Sequence, residues 1–354
     1  MKKQAPLVAL VVSIAALLAT AAVWAAEEAK PVKVFILDGQ SNAGGAVKNW
    51  LLEKQAVAPK TKKLFAHLRK DGKWIVRDDV FIKFLGRKGP LTIGYGWPGN
   101  TGVELEFGHV MGNHLDEPVL LVKAGCICNL YKSSRPPSAG LPSDEKLRKE
   151  LEQAQARVKQ NNEKHKRNDP LPTMDDIKKE YGQQYRIMLA WVKDVLDNYE
   201  TMFPALKGKK IELGGFLWFQ GWNASDEYES NMKHYIKDVR RDLKAPKLPF
   251  VIAAVGFSGS KPAGARELAT RKAQMAMNDV PEFKGNVKAF RTDLLVDKEA
   301  ERLFPDWPKH LEEWVKVGSD GYCHYYGSAI WYNRIGHAMA EAMLELMGND
   351  GSQQ

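Results

Sequence analysis

The sequence predicts an α/β chain with a mostly parallel central sheet covered by helices on both faces. Three observations carry that reading. Short β-rich apolar runs recur along the chain, each bounded by Gly, Pro or Asp. Stretches with apolar residues at helical spacing lie between them. Strands that alternate with helices build a parallel sheet sandwiched between helical layers. No internal repeat interrupts the pattern.

The first element is a leader. Met1-Lys2-Lys3 precedes an apolar run from Pro6 to Trp24, and small residues close it at Ala25-Ala26. A positive start, an apolar middle and a small-residue exit are the layout of a secretory signal peptide. Residues 1–25 are therefore expected to be removed, which places the protein outside the cell or in the periplasm. An uncleaved anchor is the alternative, since the run approaches the length of a membrane span. No later stretch is apolar enough to cross a bilayer, so no stable membrane association is expected after cleavage. About 330 residues remain, read as a single domain over 26–348 with a short tail at 349–354. The formal net charge is +9. The basic residues are spread along helices such as "KDVRRDLK" and no nucleic-acid motif is present, so nucleic acid is not an expected partner. Nothing in the sequence reports oligomeric state.

Val32–Leu37 is the first strand, and it runs into "DGQSNAGG". Gly, Ser and Asn are ordinary turn formers. The carboxyl end of a parallel strand is also where open α/β sheets keep their chemistry. Ser41 is thus either part of a strand-ending turn or a nucleophile. Pro118–Ala124 is the second strand. A charged helical insertion follows at about 141–172, because Ser143 to Asn168 is dense in Lys, Glu, Gln and Arg and nearly free of large apolar residues. It reads as a solvated helix or a flexible excursion. Thr173 and Asp176 then form a capping-box pattern. From Ile177 the stripe Tyr181, Tyr185, Leu189, Val192, Leu196, Tyr199 and Phe203 predicts one long packed helix. Gly215–Phe219, Pro249–Val255 and Val287–Arg291 complete the strands, and helices are expected over Tyr228–Leu243, Ala263–Met277 and Ser328–Met347.

A serine hydroxyl becomes nucleophilic only when a base takes its proton and a carboxylate fixes that base. "GSDGYCHYYGSA" supplies Asp320 and His324 on one short loop. Taken alone, such a pair is more often a turn carboxylate and a surface imidazole. "LWFQGWNAS" places Gln220, Trp222 and Asn223 at another strand end. The eight histidines are scattered and Cys126-x-Cys128 lacks a second ligand pair, so neither a metal nor any other cofactor is predicted.

Gly-Gln-Ser-Asn early, Gly-Trp-Asn in the middle, and Asp with His late resemble the SGNH (GDSL-like) hydrolases. Within them, the chain is most similar to the sialate O-acetylesterase and carbohydrate acetylesterase group, in its exported members from planctomycete-type bacteria. "GQSN", "LWFQGWN", "RPPSAG", "EYESNMKHYIKDVRRDL" and "HYYGSAIWYNRIGHAMAEAM" carry the likeness, which spans nearly all of the chain after the leader. The resemblance implies a flavodoxin-like three-layer α/β/α sandwich and a serine esterase that removes O-acetyl groups from carbohydrate. It makes Ser41 the nucleophile, His324 the base and Asp320 its partner, with Asp293 as a substitute acid. Asn223, the Ser41 backbone and the Cys126-Ile127 backbone become oxyanion donors. Gln40, Gln220, Trp97, Trp222 and Tyr325 become candidates for substrate contact, and Tyr326 is placed near the same mouth. Glu104 matches an acidic position expected to bond backbone near the site, and His109 reads as structural.

The chain departs from that pattern in three places. Cys126-Ile127 stands where relatives carry Gly-Gly, Ala224 stands where many carry Asp, and Asp320 precedes His324 by four residues rather than three. A carbohydrate-binding protein without turnover and a GDSL-type lipase or thioesterase are the alternative functions. In the resembled fold, a disulfide from Cys323 to Cys126 or Cys128 would tie the His324 loop to the oxyanion loop.

Overall fold

The computed structural model describes residues 30–124, 129–220 and 226–350. Its centre is a seven-stranded sheet: β1 (Val32–Gly39), β2 (Val80–Phe84), β3 (Arg87–Pro90), β4 (Val119–Lys123), β5 (Ile211–Phe219), β6 (Phe250–Ala254) and β7 (Val287–Arg291). The strands lie in the order β7-β6-β5-β1-β4-β2-β3. All neighbours are parallel except the β2–β3 hairpin at one edge. The five strands expected from the sequence are all present. Taken in chain order they run 2-1-3-4-5 across the sheet, the flavodoxin arrangement. The hairpin β2–β3 extends that sheet and was not foreseen. Two-residue ribbons pair Val47–Lys48 with Asn100–Thr101 and Arg69–Lys70 with Lys73–Trp74.

Successive residues of a strand point to opposite faces, so each buried strand feeds two cores. Phe35, Leu37, Leu121, Leu217, Phe219 and Val251 pack on one side. The helices Asn49–Val57 (α1) and Glu104–His114 (α2) and the C-terminal helix Ala329–Asp350 lie on that face. Val34, Ile36, Leu120, Val122, Trp218 and Ile252 pack on the other side, under the helices Gln183–Met202 and Tyr228–Asp242. The result is three layers.

The charged insertion is a helix. Asp144–His165 (α3) is capped by Ser143, whose hydroxyl accepts the Lys146 N–H at 3.3 Å. Leu147, Leu151 and Ala154 pack with Met174, Ile177 and Tyr181 in a small cluster of their own. Lys132 joins it to the domain through Glu150 at 3.0 Å and Glu180 at 2.6 Å. The capping box at Thr173 and Asp176 is formed. The stripe that follows is two helices rather than one: Met174–Glu180 (α4) ends at Tyr181, and Gly182 takes φ +70° before Gln183–Met202 (α5) begins. Tyr228–Asp242 (α6), Ala265–Met275 (α7) and Ala329–Asp350 (α8) fall where the sequence places them.

Candidate active site

β1 has β4 on one side and β5 on the other, so the chain leaves its carboxyl end at the point where the sheet changes direction. Gly39 closes the strand with φ +146°, and a Cβ there would sit 2.2 Å from the Phe219 carbonyl oxygen. Only glycine fits. The Gln40 N–H donates to that carbonyl at 3.2 Å, and the Gln40 carbonyl accepts the Gly44 N–H at 3.0 Å. This closes a single helical turn, Ser41–Gly44, with half-buried Ser41 at its first position. Among the described residues the Ser41 N–H has no hydrogen-bond partner, as befits the first N–H of a helical turn.

The second half of the site comes from the turn before α8. His324 Nε2 lies 2.8 Å from Ser41 Oγ. On the other side of the ring, Nδ1 is 3.2 Å from Asp320 Oδ2, close enough for an ion pair but not aligned as a good hydrogen bond. That geometry accords with the spacing of four. Burial alone would raise the Asp320 pKa. The His324 ring, the Gly321 N–H and Lys48 outweigh it, and the carboxyl is held below its ordinary value.

His324 stands where it does because of an unusual backbone. Tyr325 (φ +53°), Tyr326 (φ +60°) and Gly327 (φ +57°) are three consecutive left-handed residues. Each bulky residue in that region costs on the order of 1–3 kcal/mol. The strain is offset by packing and bonding. The Tyr326 carbonyl accepts the N–H groups of Ser319 (2.9 Å) and Asp320 (3.1 Å). The fully buried Tyr325 hydroxyl bonds Thr292 Oγ1 at 3.0 Å and accepts the Gly256 N–H at 3.3 Å. Its ring meets Trp331 edge-on at 4.8 Å.

Asn42 joins the two halves, and no role had been assigned to it from the sequence. Its Nδ2 donates to the Cys323 carbonyl at 3.1 Å, and its Oδ1 accepts from the Tyr332 hydroxyl at 2.8 Å. A polar residue directly after Ser41 was the available signal, but nothing local reveals its burial.

A buried ion pair sits beneath the serine turn. Lys123 Nζ donates to Glu104 Oε2 at 2.8 Å, with both side chains 1% exposed. The same ammonium donates to the carbonyls of Gly44 (3.2 Å) and Tyr95 (2.8 Å). Glu104 Oε1 accepts the Gly102 N–H at 2.8 Å, the backbone role expected of it. His109 is buried, as a structural residue would be.

Several expected contacts fall elsewhere. Tyr325 and Tyr326 are core rings, because the left-handed backbone turns them inward, so Tyr325 has no face for a substrate. Gln220 is fully buried and its Oε1 accepts from the Tyr228 hydroxyl at 2.7 Å, so it too is withdrawn from substrate contact. Asp293 is engaged by Arg271 at 3.0 Å and Arg291 at 2.5 Å and cannot replace Asp320. Cys323 is a free thiol whose pKa burial pushes up, and its candidate disulfide partners Cys126 and Cys128 lie outside the described residues. Trp97 is half-buried against the serine turn: a Cβ on Gly44 would lie 2.5 Å from its indole Nε1. Gln40 is half-buried beside Ser41. Cys126, Ile127, Cys128, Trp222 and Asn223 lie outside the described residues.

Residues 184–299 match the family model SASA, described as carbohydrate esterase, sialic acid-specific acetylesterase. The chain is a hydrolase acting on ester bonds, similar over this stretch to that carbohydrate-esterase family. The match covers roughly a third of the chain. Ser41, Asp320 and His324 all lie outside it, so their arrangement is an observation independent of the match. Solved structures similar to this hydrolase include a protein from Arabidopsis thaliana, at 15% identity and TM-score 0.47 over 89% of this chain and 98% of that one. A carbohydrate acetylesterase from Xanthomonas citri matches at 14% identity and TM-score 0.44, over 91% of this chain and 57% of that one. NanS matches at 13% identity and TM-score 0.41, over 75% and 78%. No curated protein sequence matches, and the comparisons give no support to a planctomycete-type origin.

Proposed function

We propose that this hydrolase is an exported serine esterase that removes O-acetyl groups from carbohydrate through Ser41, His324 and Asp320. One observation carries the reading: His324 Nε2 stands 2.8 Å from Ser41 Oγ at the switch point of the sheet. In the first half-reaction Ser41 Oγ attacks the acetyl carbonyl while its proton passes to His324 Nε2. The tetrahedral oxyanion needs donors already aimed at it. The Ser41 N–H is one, and the Asn223 amide and the Cys126-Ile127 backbone are proposed as the others. Collapse breaks the bond to the sugar oxygen, which takes the proton from His324 and leaves as a hydroxyl, with an acetyl group left on Ser41. Water then repeats the cycle, with His324 as its base, and releases acetate. Asp320, with its pKa held low, is ionised in the neutral range and balances the imidazolium that forms in each half.

The substrate class, acetylated sialic acid or an acetylated plant or algal polysaccharide, follows the family resemblance. Export follows the leader, with an uncleaved anchor as the alternative. Gln40 and Trp97, both half-buried beside the serine turn, are proposed to touch the substrate. The experiment is hydrolysis of 4-nitrophenyl acetate by wild type and Ser41→Ala, with melting temperatures taken alongside. Turnover should vanish in the variant while the melting temperature holds. Residual turnover above about a tenth of wild type would overturn the assignment, since loss of a triad serine costs several orders of magnitude.

A further inference from the structure

Tyr325 and Tyr326, two of the aromatic rings expected at the mouth, are buried, yet other rings are exposed. Tyr322, two residues before His324 in the same turn, is 43% exposed, and Trp307 is 39% exposed. They are the visible ends of one aromatic strip. Half-buried Phe304 lies 6.5 Å from Tyr322 and 5.6 Å from Trp314, and Trp314 lies 6.2 Å from Trp307. Tyr326, from the left-handed turn, packs beneath Phe304 at 4.6 Å. The strip is thus held from below by the same core that holds the imidazole. Pro305 and Pro308 stiffen its backbone.

We infer that this strip, Tyr322–Phe304–Trp307, is a glycan-binding surface that holds the polysaccharide chain bearing the acetyl group. The inference rests on the reading of Ser41 and His324 given above. In that reaction His324 returns its proton to the departing sugar hydroxyl, so the sugar leaves on the imidazole side, where Tyr322 stands. Pyranose rings present C–H bonds of slight positive charge, which are attracted to the negative faces of aromatic rings. Asp306 and Lys309, which flank Trp307 along the chain, form an exposed ion pair at 3.0 Å and offer acceptors and donors to hydroxyl groups. A lipid or a second copy of the chain would call for an unbroken apolar field instead. The preferred substrate is therefore polymeric, with sugar units beyond the acetylated one contributing to affinity.

Affinity electrophoresis tests this with the whole protein. Wild type, Trp307→Ala, Trp307→Phe and Tyr322→Ala are run in native gels with and without acetylated xylan or acetylated polysialic acid. At least one polymer should retard wild type, each alanine variant should bind it about three- to tenfold more weakly, and Trp307→Phe should retain most of the shift. Two alanine variants at opposite ends guard against a single folding failure, which melting temperatures would reveal. Wild type unretarded by both polymers, or alanine variants retarded like wild type, would overturn the inference. So would a dimer in size-exclusion chromatography that Trp307→Ala dissociates, since that assigns the strip to a second copy. Aryl acetate turnover separates the two readings: if it survives Ser41→Ala, the esterase reading falls whatever the gels show. If it depends on Ser41 while no polymer retards the protein, only the strip falls.

Discussion

His109 gives the sharpest test of how burial sets stability. Its ring is buried and its pKa is pushed down to about 4, first by burial, then by the positive charges of Arg77 and His67. Glu106 and Asp79 act in the opposite sense and lose. In the unfolded chain the ring titrates near 6.5. Between those values the unfolded state binds more protons than the folded state, so stability rises with pH there. The contribution is complete above pH 6.5, falls away as pH drops toward 4, and changes no further below that. A gap of about 2.5 units at 1.36 kcal/mol each gives about 3 kcal/mol. His109→Gln removes the titrating group. Urea denaturation of both proteins at pH 7 and pH 4 should show wild type losing about 3 kcal/mol more than the variant over that interval. Other carboxylates that protonate over this range contribute to both proteins and largely cancel in the difference. Equal losses, within about 1 kcal/mol, would mean that His109 is hydrated or protonated in the folded protein, and the burial argument would fail.

Two further perturbations act directly under and across the site. Glu104→Ala strands the Lys123 ammonium in the interior and should cost about 3–5 kcal/mol in urea denaturation, while the double variant Glu104→Ala/Lys123→Met should lose less than the single one. A single-variant loss below about 1 kcal/mol would refute the pair's importance. Asn42→Ala removes both bonds that tie the serine turn to the His324 turn. It should cost about 1–3 kcal/mol in stability and lower aryl acetate turnover about tenfold or more through misplacement of the reacting groups. Unchanged turnover would reduce Asn42 to a packing residue.

The parallel strands were legible because each is a short apolar run stopped by Gly, Pro or Asp, and burial on both faces needs nothing more. β2 was not, because "VFIKF" carries Lys83 as its fourth residue and lies next to the edge, where a polar residue is tolerated. α2 escaped for a different reason. Glu104, Glu106 and His109 point inward and break the amphipathic pattern, and two of them do so to meet Lys123 and the His67–His337 pair. At the site, Ser41 and His324 could be picked out by residue type and order along the chain. The orientation of Tyr325 and Tyr326 could not, because a left-handed backbone reverses the faces that ordinary periodicity assigns. Gln220 was misread because a strand-end amide looks the same whether it faces solvent or a buried tyrosine.

The three bonds between the serine turn and the C-terminal segment span 281, 283 and 290 residues of chain. The hydroxyl is therefore synthesised well before its proposed base. On the proposed mechanism, a chain stopped anywhere before residue 324 carries an ordinary, unreactive serine. Contacts this distant in sequence form late, after the intervening sheet has brought the two ends together. On that mechanism, esterase activity requires both segments in place, and its appearance during refolding marks a late step rather than the first.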